Sequence, residues 1–189
     1  SLPMSVSRFQ PTPEKVGPLS NITISPFVVT REFQAPRPLP LLWQVQTQAL
    51  HLQRWLSPEG FNTIHADMDF RVGGRYHYGL EGLNGLQMWG LQQFLEIVPE
   101  RKVVHLQSFS NAEGGLARNP MAPTWPAYLH VTATWEESPN GGTVYTISWR
   151  PHESDEIGIA TFESARDGMK AGFGGTFAKL DSYLIQLQG

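Results

Sequence analysis

A change of hydrophobic period constrains this chain most: period 2 across residues 61–152, then period 3.6 toward the C-terminus. In the first stretch Ile64, Ala66, Met68 and Phe70 alternate with His65, Asp67 and Asp69. After Gly73-Gly74, Tyr76, Tyr78 and Leu80 keep the apolar parity while Arg75, His77 and Glu81 take the other face. That pattern predicts an antiparallel hairpin with one face buried and one wet. Further strands are expected at 87–97, 102–109, 127–136 and 143–150, with Asn140-Gly141-Gly142 turning the last pair. Leu129, Val131, Ala133 and Trp135 share one parity, as do Tyr145, Ile147 and Trp149. Beyond them Met169, Phe173, Phe177, Leu180 and Leu184 trace an apolar stripe on a helix expected at about 160–186.

Ahead of this body, eight of the 15 prolines fall in the first 40 residues. Residues 1–23 hold no sustained period and read as a Pro-rich N-terminal arm, leaving 24–189 as a single domain. The body opens with a β-branched and aromatic strand, Phe27 to Phe33, followed by short helices at about 39–48 and 49–56. Seven strands, two short helices and a long closing helix make an α+β layer arrangement.

Composition excludes several functions. With 14 basic against 17 acidic residues there is no cationic field for nucleic acid or an anionic membrane. No segment approaches the roughly 18 apolar residues of a membrane span. The absence of Cys removes disulfides, thiolate catalysis and Cys-based metal sites, and fits a reducing, cytoplasmic setting. Six Trp, five Tyr and ten Phe exclude a disordered chain.

The order of the motifs resembles a known fold. Thr30-Arg31-Glu32-Phe33 precedes Ala35-Pro36; Leu52-Gln53-Arg54-Trp55 precedes Pro58; and Phe70-Arg71-Val72-Gly73-Gly74-Arg75-Tyr76 opens the hairpin. Gly90, Phe94, Glu96 to Arg101, Trp149-Arg150-Pro151 and Gly172-Phe173 follow at matching intervals. Together they resemble the SRPBCC (START, helix-grip) superfamily, and within it the activator-of-Hsp-90-ATPase homologue-like family, over about residues 27–187. The resemblance implies a helix-grip fold, in which a curved seven-stranded antiparallel sheet wraps a long C-terminal helix. Two departures, Phe173 in place of the family's usual Trp and Leu56-Ser57 after Trp55, bear on pocket chemistry rather than fold.

On that fold the inward set is Met68, Tyr76, Tyr78, Trp135, Tyr145, Trp149, Met169, Phe173 and Phe177. Arg31 shares the parity of Val29 and Phe33 and is the candidate cation for an acidic ligand group, or else an edge residue reaching solvent. The long 112–127 connection, stiffened by Pro120, Pro123 and Pro126, is expected to form a rim or lid with Trp125 and Pro126 at the mouth. The expected function is non-enzymatic binding of a small hydrophobic or aromatic ligand. A chaperone-cofactor role, or a homodimer partner, is the alternative. The family's chaperone-activating members carry a separate N-terminal domain that residues 1–23 are too short to supply. A polyketide-cyclase-like activity is the third reading, and no acid–base pair supports it.

No catalytic residue, metal or cofactor is assigned. No Ser lies in a nucleophile elbow, and no Gly-rich turn has the Lys of a phosphate loop. His65, Asp67, Asp69 and His77 share a face on which Asp69 would oppose His77, but a solvated surface with Arg71 and Arg75 as neighbours is the plainer reading. Gly172, Gly174 and Gly175 within one helix imply either a softened helix over a cavity or close packing on Trp135 or Trp149.

Overall fold

The computed structural model describes residues 24–189; the N-terminal arm read at 1–23 lies outside them. Strand β1 (Phe27–Phe33) leads into helices α1 (Leu39–Thr47) and α2 (Ala49–Trp55). Strands β2 (Phe61–Met68), β3 (Arg75–Gly82), β4 (Gln87–Val98) and β5 (Lys102–Ser110) follow as a meander. The two-residue β6 (Leu116–Ala117) precedes β7 (Leu129–Glu137) and β8 (Thr143–Pro151), and helices α3 (Glu156–Ser164) and α4 (Arg166–Gln188) close the chain. All pairings are antiparallel, in the order β1-β8-β7-β5-β4-β3-β2, with β6 added beside the end of β5. This is the helix-grip arrangement, its seven long strands supplemented by β6.

Two local details differ from the sequence pattern. A β-bulge between Thr63 and His65 takes Ile64 out of the alternation and leaves it exposed. The turn through residues 69–74 sets a register in which Asp67, not Asp69, faces His77, while Asp69 pairs with Arg71. His77 is buried, and its Nε2 is 3.0 Å from the Asn111 carbonyl oxygen, so that face has a structural use. No group of three or more His or carboxylate side chains able to hold a metal occurs among the described residues.

The expected single helix at 160–186 is two. Asp155 caps α3 by accepting from the Gly158 amide at 2.7 Å, which starts the helix earlier than the apolar stripe suggested. The chain then turns at Ala165, and α4 begins afresh. No helix among the described residues is long and apolar enough to cross a membrane.

Helix α4 has two unlike halves. Phe177, Leu180, Tyr183 and Leu184 are buried in the main core with Phe33, Leu42, Val45 and Val131. Toward its N-terminus, Met169 and Phe173 are only partly covered, and Gly168, Gly172, Gly174 and Gly175 interrupt the helix surface around them. A methyl group added at any of these four glycines would meet no atom within 4 Å. Close packing therefore does not explain them, and the tight-fit reading on Trp135 or Trp149 is set aside. Gly174→Ala is expected to raise the denaturation midpoint, by up to about 1 kcal/mol, through helix propensity and a less free unfolded chain. Destabilisation in urea titrations would contradict the open surroundings of Gly174.

Candidate functional site

A cavity of about 570 Å³ lies between the concave face of the sheet and the N-terminal half of α4. Register explains its floor. Phe94, His105, Val131, Trp149 and Phe27 stand opposite one another on β4, β5, β7, β8 and β1, making one cross-strand row. Gln92, Gln107 and Leu129 form the next row, with Met68 and Tyr76 continuing it onto β2 and β3. Beyond it Tyr78 lies across Gly90; a side chain at that position would overlap the Tyr78 phenol oxygen, so glycine is what lets the ring lie down.

Of the residues expected to line a cavity, Met68, Tyr78, Trp135, Tyr145 and Trp149 do so from the sheet. Met169, Phe173 and Phe177 do so from α4, and Trp125 from the long 111–128 connection. Trp149 and Phe173 pack edge to face at 4.9 Å, joining wall to lid. Trp125 is anchored against Phe162 of α3 at 5.8 Å, and the neighbouring Thr124 hydroxyl is 2.7 Å from that of Thr161.

Three expected residues stand elsewhere. Arg31 does not line the cavity: its guanidinium lies 5.0 Å and 5.1 Å from the Phe33 and Phe177 ring centres and is paired with Asp181. Arg37 donates to the same carboxylate at 3.0 Å, so Asp181 binds β1 and the β1–α1 connection to α4. Arg31 is thus neither the free cavity cation nor a solvated edge residue. Tyr76 is buried in the core, 5.1 Å from the Tyr78 ring, and Pro126 is buried against Gly158 in the first turn of α3 and does not line the cavity.

Three polar members of the lining, His105, Gln46 and Glu59, were not among the expected residues. His105 is 6% exposed, and neither ring nitrogen has a hydrogen-bond partner. Burial pushes its pKa down to about 4; the adjacent Gln107 side chain opposes this, without a hydrogen bond of ordinary geometry, and His130 adds to the depression. Its imidazole is neutral near pH 7. Trp149 Nε1 and Gln46 Nε2 are likewise buried and unpartnered, although Gln46 Oε1 accepts from Trp135 Nε1 at 2.8 Å. Burial also raises the phenols of Tyr78, to about 12, and of Tyr145, so both stay protonated. Among the described residues Glu59 is the only charged one lining the cavity. Beside it Lys179 donates to the Ser57 hydroxyl at 2.6 Å and its carbonyl at 3.0 Å, which ties the end of α2 to α4.

Known proteins share this architecture. A protein from Arthrobacter aurescens, solved by solution NMR, superposes with a TM-score of 0.69 at 23% identity, over 86% of this chain and 87% of that one. Protein Ms6760 from Mycobacterium smegmatis gives 0.66 at 20% identity, over 83% and 88%. A Staphylococcus epidermidis protein gives 0.67 at 19% identity, over 87% and 94%. At such identities these likenesses establish the fold. No curated protein matches the sequence. The family model described as "Activator of Hsp90 ATPase homolog 1-like protein" matches residues 36–185, most of the chain, and the protein belongs to that family.

Proposed function

We propose that this protein binds a small hydrophobic or aromatic molecule, without transforming it, between its sheet and the N-terminal half of α4. The observation that supports the reading is the cavity of about 570 Å³, within the size range of small-molecule sites and walled by aromatic and aliphatic side chains with few polar groups. Helix α4 is suited to admit a ligand, because between its Arg166 anchor and its core-bound C-terminal half the glycine-bearing stretch packs through the partly covered Met169 and Phe173.

Nile red, a neutral fluorescent probe, tests the idea. Saturable binding to the intact protein is expected, and Gly172→Leu should weaken it by about tenfold or more by filling the cavity. Circular dichroism should show an unchanged fold. No saturable binding to the parent protein would sink the reading. The family description supports a rival, a chaperone-cofactor role. It expects stimulation of an Hsp90 ATPase that Gly172→Leu leaves untouched.

A further inference from the structure

The unpartnered nitrogens in the cavity specify more than hydrophobicity. A neutral imidazole has one N–H donor and one acceptor nitrogen. His105 satisfies neither, although it is 6% exposed and faces the cavity from the middle of the sheet. A buried polar atom left without a partner costs roughly 1–3 kcal/mol, so a chain that keeps two on one ring gains when something completes them. A hydroxyl does this well, since it both donates and accepts. Trp149 Nε1 and Gln46 Nε2, two further buried N–H donors of the lining, ask only for acceptors.

Charge narrows the class. Among the described residues no Lys or Arg lines the cavity; the nearby Arg31 and Arg37 are both occupied by Asp181, and Lys179 is engaged by Ser57 next to Glu59. A carboxylate or phosphate buried beside His105 would find no free counter-ion among the described lining residues, which is costly in a low-dielectric site. Arg31 would otherwise have been the obvious partner for an acid, and its engagement outside the cavity removes that option.

We infer that the cavity selects uncharged aromatic compounds carrying a hydroxyl group, with the hydroxyl seated on His105 and any carbonyl-type oxygen turned toward Trp149 Nε1 or Gln46 Nε2. The inference rests on the ligand-binding reading above and adds its chemical class. The cross-strand row places His105 and Trp149 on either side of Val131, two strand spacings or roughly 10 Å apart along the floor. A fused-ring or two-ring compound matches that span.

Three probes of one shape separate the possibilities: 2-naphthol, naphthalene and 2-naphthoate, titrated into the full chain near pH 7 by calorimetry or fluorescence. The naphthol should bind about tenfold tighter than naphthalene and also tighter than the anionic naphthoate. His105→Leu should erase the preference for naphthol while leaving naphthalene affinity within about twofold. Because the comparison of probes on the unaltered protein is itself decisive, a poorly folding variant does not protect the idea. Should ordered water complete His105 as well as a ligand hydroxyl does, naphthol and naphthalene will bind alike; the inference is then overturned and the cavity reading survives. Tightest binding of naphthoate overturns it equally. If none of the three probes binds, the ligand-binding reading falls and takes the inference with it.

Discussion

Trp135→Ala should destabilise the protein by about 3–5 kcal/mol in chemical denaturation, among the largest losses from any single side chain here. The indole is 2% exposed and packs edge to face with Trp43 at 4.9 Å and against Tyr145 at 5.2 Å. Its Nε1 donates to Gln46 Oε1, so truncation leaves a cavity and strips Gln46 of its one hydrogen bond to the sheet. Trp149→Ala is the informative contrast. Both tryptophans share the inward parity that predicts burial, yet Trp149 is only partly covered and its N–H has no partner. It already borders open space, and its loss should cost about 2 kcal/mol or less, chiefly the contact with Phe173. Equal losses for the two variants would mean that the sheet is as tightly filled at Trp149 as at Trp135, and the cavity would not extend there.

Stability should fall on mild acidification, and His105 should carry a large share of the fall. Its pKa is about 4 in the folded protein against about 6.5 in the unfolded chain. Above pH 6.5 the ring is neutral in both states and contributes no pH dependence. Between those two values the unfolded chain takes up a proton that the folded protein refuses, so unfolding gains. The linkage relation puts the loss at about 2 kcal/mol by pH 5, approaching about 3 kcal/mol below pH 4. Half-buried His130 is also held down to about 4, by burial and then by Arg150, His152 and Lys102, and adds its own share from the opposite face, reduced by its greater solvent exposure. Urea denaturation at pH 7 and pH 5 measures the loss directly, and His105→Gln should reduce it by about 2 kcal/mol. The same pH sensitivity in the variant as in the parent would show that His105 is not held neutral by burial.

How far the sequence reveals this molecule differs sharply between its parts. The strands of one wet and one buried face declare themselves, because Tyr76 and Tyr78 or Leu129 to Trp135 alternate with polar neighbours. Both short helices are equally plain, bounded by prolines before and after. Hidden from such reading is β5, where Val103 to Leu106 are all buried and the alternation that would place His105 on the cavity side vanishes. The role of His105 emerges only when register sets it between Phe94 and Val131. Arg31 shows the opposite failure: its parity is inward, as read, but a residue 150 positions later captures the guanidinium. Nothing local to β1 could announce Asp181. The early start of α3 is written in the Asp155 cap, but nothing in the apolar stripe starting at Met169 marks the break at Ala165.

The bulge at Ile64 has a bearing on aggregation. An open sheet ends in two edge strands, β1 and β2 among the described residues, and such an edge is a template onto which another chain can add a strand. On β2 the extra residue breaks the even spacing of outward amides and carbonyls and sharpens the local twist, while Asp67 adds a charge beside it. An incoming strand finds no continuous ladder to copy. That edge is thereby protected against runaway stacking of sheet on sheet, at the expense of one apolar side chain left in water.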